Sequence, residues 1–135
     1  MPHNQAPPPA PGSPARILVV DDDPVVIQLI LDTLSGEGYE VDSAENGVAA
    51  LEKIRHATFD LILSDLHMPQ LDGVGLYRAL TERKDRPLTK FIFLTGSGGS
   101  SELHRFLNET GLPLLRKPFN LAELQQLVRE ALESR

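Results

Sequence analysis

Short apolar runs alternate with amphipathic stretches from residue 16 onward, and this alternation limits the possible folds more than any other feature of the chain. Five runs of strand character are each followed by a segment with helical periodicity or helix-capping residues. The predicted strands are residues 16–20, 39–43, 59–64, 90–94 and 112–116. Alternation of this kind favours an α/β fold, in which a parallel sheet is covered by helices on both faces.

The composition of the predicted strands also indicates their order in the sheet. Strands one, three and four are continuous apolar runs, as expected for central strands that are covered on both faces. Strand two carries Glu40 and Asp42, and strand five carries Pro113, all of which are tolerated best in edge strands. We therefore predict the order 2-1-3-4-5, the flavodoxin-like doubly wound arrangement of five strand–helix units.

Capping residues mark where the helices begin. Asp23 is a typical N-cap, and Pro24 after it suits the first helical position. Asn46 marks a second start, and residues 120–123 resemble a capping box. The predicted helices are residues 24–35, 46–56, 72–83, 101–110 and a last one from 120 onward. The last helix is expected to place five apolar residues on one face: Leu121, Leu124, Leu127, Val128 and Ala131.

The overall composition fits one globular domain with an acidic balance. The chain has 135 residues, of which 41% are hydrophobic and 24% charged, and its net charge of -6 argues against nucleic acid as a direct partner. It contains no cysteine, which excludes disulfides and thiolate metal sites. No apolar stretch approaches the roughly 20 residues that span a bilayer, and the start lacks signal-peptide features. We expect a cytoplasmic protein without membrane insertion.

The first fifteen residues differ from the rest by their proline content. Six of the chain's eleven prolines fall in residues 1–15, a composition that favours extended conformations and cannot build a core. We predict a disordered tail or interdomain linker over residues 1–15 and one folded domain over residues 16–135. A Pro-rich docking ligand is the alternative interpretation of this segment.

Polar side chains follow several of the predicted strands at the same end of the sheet. Asp21 and Asp22 follow strand one, Asp65 follows strand three, and Thr95 and Lys117 follow strands four and five. Ligands of open parallel sheets bind beyond the carboxyl ends of the strands, at the point where the strand order reverses. That point lies between strands one and three, so these five side chains are predicted to form one site.

The residue types in this set predict phosphoryl chemistry that depends on a metal. Two carboxylates about 4 Å apart repel by roughly 4 kcal/mol at an effective dielectric constant near 20, so the cluster needs a counterion. Oxygen ligands suit a hard cation, and Mg²⁺ is the natural choice. Lys117 adds positive charge that favours phosphoryl transfer. Asp65 is the best candidate for a carboxylate nucleophile, and Thr95 could donate a hydrogen bond to a phosphoryl oxygen.

These motifs together resemble the receiver domain of two-component response regulators, in particular the chemotaxis-regulator type. The resemblance covers residue 16 to about residue 133. The matching segments are residues 17–24, 60–69, 72–73, 93–96 and 117–119. Each segment alone is a weak signal, but five in this order are specific. The Pro-rich start resembles linkers of hybrid histidine kinases, so a free-standing regulator and a piece of a hybrid kinase both remain open.

The resemblance implies a role for each matching residue. Asp65 would accept a phosphoryl group from a histidine kinase or a histidine phosphotransfer protein. Asp21 and Asp22 would hold Mg²⁺ together with Asp65 and the backbone carbonyl of His67. Lys117 would pair with the phosphoryl group or with Asp65.

A switch is the second consequence of the resemblance. Thr95 would move toward the phosphoryl oxygen, and His67 and Ser97 would tune the lifetime of the phosphorylated state. The output would be a protein–protein contact of a monomer or weak dimer, so the domain is expected to be a signalling module and not an enzyme. Receivers often carry Tyr or Phe three residues before the lysine, but this chain has Leu114 there. The glycine- and serine-rich loop at residues 96–99 could carry the change instead.

Two other functions compete with this one. Residues 21–25 also fit the opening motif of an aspartate-nucleophile phosphatase of the haloacid dehalogenase type, with Asp21 as nucleophile and Asp23 as acid/base. That alternative leaves Asp65 unexplained. A degenerate receiver that serves only as a scaffold is the third hypothesis, and the complete set of site residues argues against it.

Overall fold

Five strands and five helices alternate along the part of the chain that the structure describes, as the sequence predicts. The computed structural model describes residues 14–66, 73–82, 89–96 and 101–133. The strands are β1 (Arg16–Val20), β2 (Glu40–Ala44), β3 (Leu61–Asp65), β4 (Lys90–Thr95) and β5 (Leu114–Arg116). The helices are α1 (Pro24–Gly36), α2 (Gly47–His56), α3 (Gly73–Thr81), α4 (Ser101–Thr110) and α5 (Leu121–Glu133).

All five strands form one parallel sheet in the order β2-β1-β3-β4-β5, so the predicted order and the flavodoxin-like α/β fold are confirmed. β2, with its charged residues, is one edge of the sheet and β5 is the other. β5 has only three residues. It begins later than predicted because Pro113 offers its carbonyl oxygen to the amide of Phe93 but has no N–H to donate.

Two hydrophobic layers sandwich the sheet because successive strand residues point to opposite faces. Ile17 and Val19 face the layer that contains α1 and α5, whereas Leu18 and Val20 face the layer that contains α2, α3 and α4. The residues of β1 at positions 17–20 are fully buried, as expected for a central strand. This packing fixes the sheet and therefore the place where its carboxyl ends meet.

Side chains cap the helices at the predicted starts. The carboxylate of Asp23 accepts a hydrogen bond from Val25 N (2.9 Å) at the start of α1. Asn46 Oδ1 caps α2 by accepting from Ala49 N (2.8 Å). Asn120 Oδ1 accepts from the amide of Glu123 (2.7 Å) in the first turn of α5. These contacts satisfy helix N–H groups that have no partner within the helix.

Four of the five residues on the predicted apolar face of α5 are buried or pack against the core, and the first residue is not. Leu124 and Val128 are fully buried, and Leu127 and Ala131 pack against them. Leu121 is instead 40% exposed. Because α5 starts in the loop beyond the carboxyl end of β5, its first turn extends past the sheet that covers the later turns.

None of the described helices is long and apolar enough to cross a lipid bilayer. The predicted N-terminal tail, residues 1–15, lies outside the described residues except for Pro14 and Ala15.

Candidate functional site

Three carboxylates meet at the carboxyl ends of β1 and β3. One carboxylate oxygen from each of Asp21, Asp22 and Asp65 lies within 4.8 Å of the other two. The strand register explains this proximity, because Val20 is paired with Ser64 and the next residues along are Asp21 and Asp65. Asp21 is fully buried, Asp65 is 5% exposed and Asp22 is exposed. The predicted place of the site, where the strand order reverses, therefore holds an acidic cluster that is open to solvent on one side.

Lys117, which follows the edge strand β5, contacts two of these carboxylates. Its Nζ donates to Asp21 Oδ2 (2.7 Å) and to Asp65 Oδ2 (2.9 Å). The backbone amide of Lys117 donates to Thr95 O (2.7 Å), which continues the pairing of β4 and β5 and aims the residue at the site. The sequence predicted that Lys117 would be nearby, and the structure shows that one ammonium bridges both buried carboxylates.

Burial and pairing shift the pKa values of this bridge. Burial raises the pKa of Asp21 above its ordinary value of 3.8, and the hydrogen bond from Lys117 offsets only part of that effect. Burial alone would lower the pKa of Lys117, but its hydrogen bonds to Asp21 and Asp65 outweigh this and hold the pKa above 10.5. At neutral pH the lysine is therefore charged, and its hydrogen bond only partly offsets the unfavourable burial of the Asp21 carboxylate.

The backbone around Asp21 fixes the orientation of its carboxylate. The amide of Asp21 donates to Ala44 O (3.2 Å) in β2, and the amide of Asp23 donates to Asp21 Oδ1 (2.9 Å). Each carboxylate oxygen of Asp21 thus has a donor, Asp23 N on one side and Lys117 Nζ on the other. Asp21 is held rigidly, whereas the exposed Asp22 is accessible to solvent.

Asp23 serves as the helix cap, and this role leads to a first prediction. Asp23→Ala should lower the free energy of unfolding by about 1 kcal/mol because the N-terminus of α1 loses its acceptor. Asp23→Asn should keep the cap and stay close to wild type in stability. Both changes should leave phosphoryl acceptance in place, since only the backbone amide of Asp23 touches Asp21. Urea unfolding measures the first effect. Loss of phosphoryl acceptance in Asp23→Asn would assign Asp23 a chemical role.

Thr95 lies at the rim of the site as the last residue of β4. It is 4% exposed, and the pairing of Asp65 with Leu94 places it one position beyond Asp65 on the neighbouring strand. The next residue is Gly96, and a Cβ atom at this position would lie 4.0 Å from Lys117 Cδ, so the backbone passes close to the lysine side chain here. The predicted contributions of His67 and Ser97 lie outside the described residues.

Two features of the site had not been predicted. The buried hydroxyl of Ser64 donates to the carbonyl oxygen of Asp65 (3.1 Å), which restrains the backbone of the candidate acceptor.

The second feature is an apolar groove of about 420 Å³ that opens beside Lys117. The groove is lined by Val26, Leu29, Gly96, Lys117, Pro118 and Phe119. On α1, Val25 is 73% exposed and Leu29 is 43% exposed. Apolar residues four apart at the start of a helix were the available signal for this surface.

Comparison with known families decides among the functions that this geometry allows. The model of the response regulator receiver domain matches residues 17–129. The chain belongs to the response regulator receiver domain family. Receiver domains are signalling domains, and acceptance of a phosphoryl group is the general function of the family. The phosphatase alternative is not supported, since the matching family and relatives are response regulators and related signalling proteins.

Individual relatives show the same relationship for this receiver domain. It is 34% identical to the transcriptional regulatory protein GlrR of Escherichia coli K12 over 120 residues, 89% of this chain and 27% of GlrR. It is 36% identical to the sensor kinase CckA of Brucella abortus over 121 residues, 88% of this chain and 13% of CckA. The chain thus spans only a fraction of the length of these curated relatives.

Solved structures of receiver size match over nearly their whole length. The chemotaxis protein CheY4 of Vibrio cholerae superposes with a TM-score of 0.78 and 32% identity, covering 87% of this chain and 98% of CheY4. A CheY-like receiver domain protein of Methanospirillum hungatei gives a TM-score of 0.79 and 33% identity, with coverages of 90% and 95%. The predicted resemblance to chemotaxis-type receivers is confirmed.

Proposed function

We propose that this receiver domain accepts a phosphoryl group on Asp65 in a reaction that requires Mg²⁺, and that the phosphorylated state acts through Thr95 on a partner-binding face. One observation carries the proposal: Lys117 bridges Asp21 and Asp65 inside a three-carboxylate cluster at the carboxyl edge of the sheet. This arrangement combines a carboxylate nucleophile, a fixed cation and a set of oxygen ligands within one small volume.

Asp65 is the nucleophile in this proposal. One of its carboxylate oxygens forms a bond to phosphorus, and the bond between phosphorus and the donor group breaks to give an aspartyl phosphate. Asp65 ends a fully buried strand and its carbonyl oxygen accepts from Ser64, so the acceptor is positioned before the donor arrives. Lys117 already contacts Asp65 and supplies positive charge where the phosphoryl oxygens gather negative charge.

The carboxylates of Asp21, Asp22 and Asp65 fit Mg²⁺. They are oxygen donors, they lie within 4.8 Å of one another, and their combined negative charge exceeds the single positive charge of Lys117. Mg²⁺ prefers oxygen ligands and keeps several waters, which the exposed position of Asp22 permits. When bound, the ion would neutralise charge on the transferred group. The predicted fourth ligand, the carbonyl oxygen of His67, stays a prediction.

Thr95 is proposed to carry the switch. Its buried position at the end of β4 places its hydroxyl near the acceptor strand, where a phosphoryl group on Asp65 would offer new hydrogen-bond acceptors. A shift of Thr95 toward those oxygens would move the end of β4. The result would be a second arrangement of the surface beyond that strand, which a partner protein can distinguish.

The phosphodonor is proposed to be a histidine kinase or a histidine phosphotransfer protein. Because Asp65 is only 5% exposed, a donor must approach the site closely, and the groove between α1 and the loop after β5 reaches Lys117, which contacts Asp65. Apolar surface borders this approach, namely the groove itself and the exposed side chains of Val25 and Leu29. Such surface favours a protein donor with a complementary apolar face. A cytoplasmic location, and function as a monomer or weak dimer without direct nucleic-acid binding, remain predictions.

Intact mass after incubation with Mg²⁺ and a small acyl-phosphate donor tests the proposal. The expected result is a single phosphoryl adduct that does not form when a chelator has removed Mg²⁺ beforehand. If no adduct forms, a phosphorylated histidine phosphotransfer protein should be supplied as donor. No transfer from either donor would contradict phosphoryl acceptance and favour a scaffold.

A further inference from the structure

Four aromatic rings from three elements form one contact network on the α3–α4 side of the sheet. Tyr77 of α3 lies edge-to-face on Phe91 (ring centroids 5.3 Å apart), Phe93 (5.9 Å) and Phe106 (5.7 Å). Phe93 in turn contacts Phe91 (5.3 Å) and Phe106 (5.7 Å). We call these residues, Tyr77, Phe91, Phe93 and Phe106, the ring cluster. Because each ring restricts the orientation of its neighbours, displacement of one ring requires the others to repack.

The ring cluster is joined to the acceptor site through β4. Phe91, Phe93 and Thr95 alternate along one strand, so their side chains leave the same face of the sheet. Phe93 is fully buried, and because it lies two residues before the switch candidate Thr95 it is the nearest ring along the strand. On β5, the residue paired with Phe93 is Leu114, an aliphatic side chain that packs against the same cluster. All four rings therefore come from α3, β4 and α4, and none from β5.

The other end of the ring cluster holds α4 in place. Among the positions of α4 whose side chains are described, residues 105–110, Phe106 is the only buried one. The guanidinium of Arg78 on α3 lies 5.6 Å from the centroid of the Phe106 ring and covers it from the outside. The attachment of this part of α4 therefore depends strongly on how Phe106 fits between Tyr77 and Phe93.

We propose that the ring cluster couples the acceptor site to helices α3 and α4, with Phe93 passing a displacement of Thr95 to Tyr77 and Phe106. This inference rests on the proposed function, since the displacement follows phosphorylation of Asp65. Packed rings exchange between discrete arrangements and do not deform continuously, so a small shift at the end of β4 can reposition a helix. The structure supplies a route from the site to the α3–α4 surface in a chain that has leucine at position 114.

The tyrosine content of the chain offers a direct reporter of this route. The chain has no tryptophan and two tyrosines, of which Tyr77 is in the ring cluster and Tyr39 packs on the opposite face of the sheet. Tyr39→Phe leaves Tyr77 as the sole tyrosine. Its fluorescence should change when Mg²⁺ and acyl phosphate are added and the adduct appears by mass. The change should be absent in Tyr39→Phe combined with Asp65→Asn.

The matched variant Tyr77→Phe keeps Tyr39 as the reporter of the other face, and its fluorescence should stay constant on phosphorylation. An adduct with unchanged Tyr77 fluorescence would overturn the ring-cluster inference and leave the proposed function standing. Equal changes at Tyr39 and Tyr77 would also overturn it, because they would indicate a global change. Absence of the adduct both with acyl phosphate and with a phosphorylated histidine phosphotransfer protein would overturn the proposed function and, with it, this inference.

Binding reciprocity gives a second test. Phe106→Leu keeps an apolar anchor for α4 but removes the ring. The rearrangement of the ring cluster that phosphorylation requires should therefore cost less free energy than in wild type. Binding of beryllium trifluoride with Mg²⁺, a mimic of the aspartyl phosphate, should then tighten about fivefold, the lower end of typical couplings. Phe59→Leu is the matched control, since Phe59 is also buried but lies before β3, under Arg16, at the amino end of the sheet. Equal affinities for the two variants would overturn the coupling.

Discussion

Asp65→Asn should abolish the phosphoryl adduct while the fold stays intact. The substitution keeps the size of the side chain but replaces a charged carboxylate oxygen by an amide, which is a far weaker nucleophile. The new side chain still offers one oxygen to Lys117 Nζ, and Asp21 keeps its own bond to that lysine. Removal of one of three clustered carboxylates also relieves like-charge repulsion, so thermal unfolding should be unchanged or shifted upward.

The measurement is the intact mass of wild type and variant under the same donor and Mg²⁺ concentrations. Asp32→Asn serves as a control because Asp32 is an exposed carboxylate on α1 that contacts Gln28 and lies away from the site. It should be phosphorylated like wild type. An adduct that persists in Asp65→Asn but disappears in Asp21→Asn would reverse the assignment of the nucleophile.

The sequence predicted the fold and the place of the site because both follow from short-range patterns. Charged residues in β2 and Pro113 before β5 identified the edges of the sheet, and the strand order then brought Asp21 and Asp65 together. Predictions failed or were silent where contacts depend on packing between distant segments. Leu121 has the spacing of a core residue yet is exposed, because periodicity does not say where the sheet beneath a helix ends.

The ring cluster and the lysine bridge are further contacts between distant segments that the sequence did not predict. Tyr77, Phe93 and Phe106 are far apart in sequence, and no motif links them, so only the packing of α3 and α4 on β4 reveals their contact. Lys117 could be placed at the site from topology. That its ammonium contacts both Asp21 and Asp65 depends on side-chain conformations that the strand order does not specify.

The lysine bridge should also be the main electrostatic support of the unliganded site. Lys117→Met removes the ammonium and keeps the length of the side chain, which leaves the fully buried Asp21 and the nearly buried Asp65 without their shared cation. In metal-free buffer at neutral pH the free energy of unfolding should fall by roughly 3 kcal/mol, the low end for breaking a buried pair. The low end applies because 21% of the lysine side chain is exposed.

Urea unfolding of Lys117→Met and Lys53→Met compares a buried bridge with a surface one. Lys53 Nζ lies 2.7 Å from Asp42 Oδ1, but both side chains are well exposed, so its replacement should cost less than about 1 kcal/mol. Mg²⁺ should restore stability to Lys117→Met by neutralising the same carboxylates. The change in unfolding free energy that Mg²⁺ causes in Lys53→Met should equal the change it causes in wild type. Equal losses for the two lysines would contradict a special role for the bridge.

The pH dependence of the difference between wild type and Lys117→Met identifies the group responsible. Because the pKa of Lys117 is raised above 10.5 by folding, its contribution is fully present below that pH and is lost as the pH rises through the folded-state value. The stability difference should therefore persist across neutral pH and, on the alkaline side, shrink above 10.5. On the acid side it should shrink as Asp21 takes up a proton, which begins above pH 3.8 because burial raises the pKa of that carboxyl. A difference that stays constant at both extremes would indicate lost packing of the lysine stem and not lost charge.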